Sequence, residues 1–455
     1  RSLRMTSLMV FTRDLRVDDN PALCAAANAG TMSCLFVIDD KFTGGPGASQ
    51  RRQTFLLQSL SDLDQSLHKL GTHLEVVYGD WSQQVQQRAL ELGASNIHLS
   101  EDYSFYAKRR LANLKNWCRD NNISLHAHPG ITAVPPNNIS PAGGGEYKVF
   151  TPYWRSWLKT PKRPVLSAPA SISATAAPSS SSHLAPDPFP NSSLIGGESE
   201  GYKRLQHWLK SKLGFYAETR DYPATDETSH LSPYLHFGCI SPLRLVEQAS
   251  QLPDSEPFIR QVVWRDFYAQ ILNMHPTASR HDYRDRGDVW QYDPAAYESW
   301  VEGNTGFPLV DAGMRQLKAV GFMHNRVRMV TASFLVKDLH QDWRRGADYF
   351  MSQLLDGDVA SNYLNWQWVA GTGTDSNPHR ILNPTTQAQR FDRKGKYIQK
   401  WVPELSDLTP SQAIDPPYEL REKTGYPLPI VDHHKQVEMF KQRRLATNQD
   451  SKVAN

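Results

Sequence analysis

The chain has 455 residues, 39% of them hydrophobic and 21% charged, with a formal net charge of +3. Two or three ordinary globular cores fit that length and composition, and a disordered or fibrous chain is excluded. The small positive balance tolerates a nucleic-acid partner without requiring one. No apolar run approaches the roughly 20 residues that a membrane-spanning helix needs. The opening Arg1-Ser2-Leu3-Arg4-Met5 carries no signal-peptide pattern. A soluble, cytoplasmic protein is expected, nucleoid-associated if the source is bacterial.

Over residues 5–130, short apolar runs alternate with amphipathic stretches. The runs fall at 6–11, 33–38, 73–78, 96–99 and 123–126. The stretch 53–70 places Phe55, Leu56, Leu60 and Leu63 on one helical face. Strand–helix alternation predicts an α/β domain with a doubly wound parallel sheet. The first strand runs into Thr12-Arg13-Asp14-Leu15-Arg16 rather than a G-x-G-x-x-G turn, which disfavours an ordinary dinucleotide site there.

Residues 131–200 read as an interdomain linker. Positions 165–190 are dense in Ser, Ala and Pro, with four serines at 179–182, and too apolar-poor to order themselves. From 201 to 455 strand signals vanish and a mostly α-helical domain is expected. Helices are predicted over 307–320, 322–339 and 347–355. Pro308 suits the first turn of the earliest of these and Gly321 its C-terminal stop.

The four cysteines (Cys24, Cys34, Cys118 and Cys239) form no C-x-x-C pair, which argues against a zinc or iron–sulfur site and a disulfide framework. In the helical half, Thr228-Ser229-His230-Leu231-Ser232 puts hydroxyls at a helix start, which suits either a plain N-cap or a phosphate site. Around Gly321-Phe322-Met323-His324-Asn325-Arg326-Val327-Arg328-Met329, Asn325 and Met329 share one helical face, with Arg328 beside that stripe. The segment from Asp356-Gly357-Asp358 through Asn362 to Trp366 and Trp368 combines acids, an amide and tryptophans. No histidine completes a metal cage within it, so no metal is expected, and an acid paired with Arg328 is the better reading.

These stretches resemble the photolyase/cryptochrome family, most of all its class I cyclobutane pyrimidine dimer photolyases. The resemblance runs from Val10 to about Pro429. It includes Phe11-Thr12-Arg13-Asp14-Leu15-Arg16 with Asp19-Asn20-Pro21-Ala22-Leu23, and Tyr147-Lys148-Val149-Phe150-Thr151-Pro152-Tyr153. It continues through Trp264-Arg265-Asp266-Phe267-Tyr268, Asn383-Pro384-Thr385-Thr386-Gln387 and Phe391-Asp392. Several such signatures in order identify the family.

The resemblance implies a light-driven DNA-repair lyase holding FAD, active when reduced, in the helical domain. Tyr216 and Thr228 to Ser232 would hold the pyrophosphate and ribityl parts. Arg328 and Asp356 would pair beside the flavin ring, with Gly357 between the acids, Asp358 at the adenine or ribose and Asn362 facing flavin N5. An amide there favours the fully reduced flavin that repair needs, whereas the acid of plant-type cryptochromes favours the neutral radical used in signalling. Trp366, Trp343 and Trp290 match the family's electron chain.

The implied partner is DNA containing pyrimidine dimers, bound by a monomer that flips the lesion out. Trp264 and Trp368 would wall the lesion cavity, with Gln261, Arg265, Asn325, Arg326, Met329 and Gln387 around it. Arg344, Arg390, Arg393, Lys394 and Lys396 would join Arg326 in pairing with phosphates. Gln261 departs from the glutamate usual in cyclobutane photolyases and matches six-four photolyases. Those enzymes carry two histidines where this chain has Asn325 and Met329, neither of which transfers a proton near neutral pH. A cryptochrome-type photoreceptor and a six-four photolyase are the alternatives. Arg52 and Asp102 are the expected contacts of an antenna chromophore, a deazaflavin or else methenyltetrahydrofolate.

Overall fold

Five parallel strands form one sheet in the order β3-β2-β1-β4-β5. They are β1 (Met5–Phe11), β2 (Gly30–Asp39), β3 (Leu74–Gly79), β4 (Asn96–Ser100) and β5 (Ser124–His128). The computed structural model describes residues 5–44, 47–175 and 194–453, excepting the side chains of 43, 44 and 447–453. The serine run at 179–182 lies outside the described residues.

The connecting helices begin where the sequence supplies caps. Asn20 Oδ1 accepts the Leu23 N–H at the start of α1 (Pro21–Ala29), whose first residue is the proline. Ser49 caps α2 (Gln50–Leu70), and Gly71, in the left-handed region, ends it. Alternate strand residues Leu8, Val10, Leu35, Val37, Ile97 and Leu99 pack on Trp81 and Val85 of α3 (Trp81–Glu91) and Leu114 and Cys118 of α4 (Phe105–Asp120). Met9, Phe11 and Cys34, on the other face, are buried as well. Both faces are covered, as a doubly wound sheet requires. All four cysteines are free.

Two compact units emerge: Arg1–Gly214 with Ser229–Thr277, and Phe215–Thr228 with Ala278–Asn455. The division does not follow the boundary expected near residue 201. Its cause is Asp266 on α6 (Glu256–Met274), which is fully buried. Its carboxylate accepts from Ala133 N (3.1 Å), Val134 N (2.8 Å) and Trp157 Nε1 (2.9 Å), the last on α5 (Phe150–Lys159). That anchor fastens α6 to the segment expected as linker.

The second unit is helical and includes α7 (Pro308–Val320), α8 (Asn325–Ser333), α9 (Trp343–Gln353), α10 (Val359–Ala370), α11 (Pro384–Phe391) and α12 (His433–Val453). Gly321, with φ at 68°, stops α7 as expected. The helix expected over 322–339 is shorter. His324 caps α8 by accepting the Arg326 N–H through Nδ1, and a π turn, Phe334–Asp338, follows. Helices α7 and α8 lie close: a Cβ on Gly313 would meet Val327 Cγ1 at 2.4 Å. No helix among the described residues is long and apolar enough to cross a membrane.

Candidate active site

The second unit joins α8 to the loop before α10 by an ion pair. Arg328 Nη2 lies 3.0 Å from Asp356 Oδ2, and Arg328 Nε donates to Met323 O at 2.6 Å. Beyond Gly357, Asp358 caps α10, accepting the Ser361 N–H at 2.7 Å. One turn later Asn362 is buried, and its Nδ2 donates to Ala347 O of α9 at 2.9 Å. Only the amide nitrogen can make that bond, so the amide is oriented and its oxygen is left as an acceptor.

Tyr216 opens a short helical turn, and burial pushes its hydroxyl pKa up to about 12. Thr228 Oγ1 is shut off from solvent without a hydrogen-bond partner among the described residues. Ser229 Oγ accepts the Leu231 N–H at 3.3 Å, and His230 adopts a positive φ of 52°. The helix that follows, Ser232–His236, has Leu231 at its cap position and no side-chain cap, so the plain N-cap reading of these hydroxyls is not realised.

Trp366 on α10 and Trp343 at the start of α9 are buried, and Trp290 is half-buried. Trp366 meets Phe350 edge-on at 4.9 Å and Trp300 at 6.0 Å. Trp343 Nε1 donates to Asp282 Oδ1 at 2.9 Å.

Among the expected DNA-side residues of the second unit, Asn325 is exposed and its Nδ2 lies 3.8 Å from Met329 Sδ, so the two share a face. Arg326 pairs with Asp221 at 2.7 Å and covers the Phe391 ring at 4.3 Å. Trp368 is half-buried beneath Arg380, and the Oε1 of Gln387 on α11 is buried without a partner among the described residues.

In the first unit, Gln261, Trp264 and Arg265 follow one another on α6 at helical spacing. Gln261 is exposed, whereas one face of Trp264 is stacked on Phe150 at 4.0 Å. Arg265 donates to Leu235 O at 3.1 Å. At the C-terminal end of the sheet, Asp102 pairs with Arg13 at 3.3 Å, and Arg52 is buried and donates to Gly47 O. This edge, where the strand order reverses between β1 and β4, is where open α/β sheets take ligands.

Residues 7–171 match the family model described as DNA photolyase, and residues 258–445 the one described as FAD binding domain of DNA photolyase. The deoxyribodipyrimidine photo-lyase of Streptomyces griseus is 41% identical over 444 residues, spanning 94% of this chain and 96% of that one. The chain belongs to the photolyase/cryptochrome family. The Escherichia coli deoxyribodipyrimidine photo-lyase is 35% identical over 94% of this chain and 96% of its own length. A class III photolyase structure from Agrobacterium tumefaciens superposes with a TM-score of 0.90 at 33% identity, covering 99% of each chain. A Synechocystis cryptochrome structure gives 0.89 at 30% identity, covering 97% of this chain and 99% of that one.

The residues present suit the FAD of a photolyase-family domain. Burial holds the His324 ring neutral, with its pKa down to about 4. Because Nδ1 accepts from Arg326 N, the proton sits on Nε2, which is buried without a partner among the described residues. Arg326 Nε is in the same condition, as is Thr228 Oγ1. Orphaned buried donors are costly unless an acceptor arrives, and cofactor phosphates are such acceptors. Residue spacing alone does not mark His324 as a site residue; the signal that marks it is its place directly before the first turn of α8. Asp221 and Asp282 were also passed over, since a lone aspartate in a loop has no readable partner.

Proposed function

We propose that this chain binds FAD and, with the flavin reduced and lit by blue light, splits cyclobutane pyrimidine dimers in DNA. The observation that carries the reading is the oriented amide of Asn362, within one helical turn of the loop that pairs Asp356 with Arg328. When bound, the reduced flavin supplies the light-driven electron that opens the cyclobutane ring. The remaining roles fall to the chain's own groups.

Asn362 would offer its carbonyl oxygen to flavin N5 and has no acidic proton to give, which would favour the fully reduced state. The Arg328–Asp356 pair supplies fixed charges beside the ring system. Tyr216 and Thr228 of the second unit would hold phosphate or ribityl parts, with Asp358 at the adenine or ribose, and residues 229–232 of the first unit would offer further polar contacts. On the DNA side, Trp264 in the first unit and Trp368 in the second each offer a ring on which an unstacked base could stack, as flipping proteins do. Within the second unit Asn325, Met329 and Gln387 would contact the lesion beside Arg326, and Arg265 would contact DNA from the first unit. Gln261 donates an amide N–H to a pyrimidine carbonyl as charge develops there. Asn325 and Met329 offer no acid or base, which disfavours six-four repair. Trp366, Trp343 and Trp290 would supply a path for electrons to an oxidised flavin.

Gln261 favours a second reading, a photoreceptor without repair. One experiment separates the two: purified, flavin-loaded, chemically reduced protein is lit with a thymine-dimer oligonucleotide. Light-dependent loss of dimers supports the enzyme; none, with FAD bound, supports the receptor.

For the antenna, we infer a deazaflavin contacted by Arg52 and Asp102. An archaeal photolyase from Sulfolobus tokodaii, 31% identical with a TM-score of 0.87, holds two FAD molecules, which imply a novel light-harvesting cofactor there, so flavin chemistry is represented among the neighbours. Mass spectrometry of the released chromophore distinguishes deazaflavin, folate and a second FAD.

A further inference from the structure

Trp264 on α6 is half-buried, and aromatic rings of the first unit hold it in place. Phe150, the first residue of α5, lies almost parallel to it, with ring centres 4.0 Å apart and planes inclined by 6°. Phe267 meets it edge-on at 5.4 Å, and Tyr268 meets it at a tilt, also at 5.4 Å. Phe150 is itself buried, edge-on to Phe267 at 5.8 Å. A stacked ring covers one face of an indole and leaves the other to a ligand.

The segment that carries Phe150 is pinned to α6 on both sides of that residue. Before it, buried Gln270 accepts the Tyr147 N–H at 2.7 Å and donates to Tyr147 O at 3.3 Å. After it, Trp157 Nε1 donates to buried Asp266 at 2.9 Å. Arg260, one turn of α6 before Trp264, places its guanidinium 5.5 Å from the Phe150 ring centre and 5.3 Å from that of Trp154. Its carboxylate neighbour Glu256 is 3.9 Å away and mostly exposed, a weak hold beside two ring faces.

We propose that Phe150 and Arg260 are positioning residues for lesion recognition: they fix the Trp264 ring in advance as a platform for an unstacked pyrimidine, and act through that ring without touching DNA. The inference rests on the proposed stacking of a base on Trp264. A mobile indole loses rotamer freedom when a base settles on it, and that loss weakens binding. Here the packing of the first unit fixes the ring before DNA arrives. Arg260 braces Phe150 through the attraction of a cation to a ring face. Undamaged duplex keeps its bases stacked and makes no use of the platform, so the gain falls on lesion DNA.

Binding of the flavin-loaded full chain to a thymine-dimer duplex and to the same duplex undamaged, measured in the dark over a range of salt, tests this. Phe150→Leu keeps an apolar side chain but removes the flat face, and it should lower the ratio of the two affinities about fivefold. Phe150→Tyr keeps the ring and should retain the native ratio. Arg260→Gln should lower the ratio about threefold with the salt slope unchanged. In a Trp264→Ala background neither substitution should lower the ratio further, as residues acting only through that ring require. A native ratio in Phe150→Leu, equal weakening on both DNAs, or a further loss in the Trp264→Ala background would overturn the assignment, provided Trp264→Ala itself lowers the ratio. A shallower salt slope in Arg260→Gln would place Arg260 on a phosphate and overturn its bracing role. A native ratio in Trp264→Ala would instead overturn the stacking reading, and this inference with it.

Discussion

Arg328 and Asp356 meet at 3.0 Å with unequal burial: the Asp356 side chain is 8% exposed and that of Arg328 is 24%. The carboxylate is therefore the more deeply buried member of the pair. Arg328→Ala removes the cation from beside a nearly buried carboxylate and should cost roughly 2–4 kcal/mol of stability, with loss of bound flavin. Asp356→Asn leaves a guanidinium that water still reaches, and should cost about 1 kcal/mol. Thermal unfolding and the flavin absorption per chain measure both. Equal losses would show that the pair does not act in this way.

Trp290→Phe should slow photoreduction of oxidised flavin while sparing repair by chemically reduced protein. Parallel assays from the two starting states check this, and equal loss in both would remove Trp290 from the electron chain.

Acid sensitivity should have an identifiable source in the first unit. His98 on β4 is buried, its Nδ1 is 3.0 Å from His128 Nε2, and its ring stacks on His126 and His128. Burial, then the neighbouring His128 and His126, bring its pKa down to about 4. Between pH 6.5 and 4 the unfolded chain takes up a proton at this position that the folded chain refuses. The stabilisation is thus complete above pH 6.5 and lost as pH falls toward 4, by up to about 3 kcal/mol. Urea unfolding of the native chain and His98→Gln across that window should show a shallower pH slope in the variant.

Binding to lesion DNA should weaken steeply with salt despite the net charge of +3. Arg393 and Lys394, in the turn that follows α11, are exposed. Replacing either by Ala should reduce the slope of log affinity against log salt by about 0.9 if it contacts a phosphate. An unchanged slope would place that residue off the DNA.

Much of this architecture is written locally. Asn20-Pro21 and Ser49 start helices with their own side chains, Gly321 stops one, and all five strands appear as apolar runs within a residue or three of their ends. The boundary between the units was not legible because Asp266 looks like a surface acid until Ala133, Val134 and Trp157 are found around it. The helix expected from 322 starts later because a histidine makes an N-cap that composition does not announce. In the candidate site, the Arg328–Asp356 pair was readable from residue types. The orphaned Nε2 of His324 and the hold of Asp282 on Trp343 depend on residues distant in sequence.

Asn362 bears directly on the central claim, since an acidic group there would favour the signalling state of the flavin over repair. The decisive measurement is the number of cyclobutane dimers left in a thymine-dimer oligonucleotide after blue light, using flavin-loaded, pre-reduced protein. The account predicts dimer loss in light and none in the dark. Unchanged dimers under light, with bound reduced FAD verified in the same sample, would contradict it.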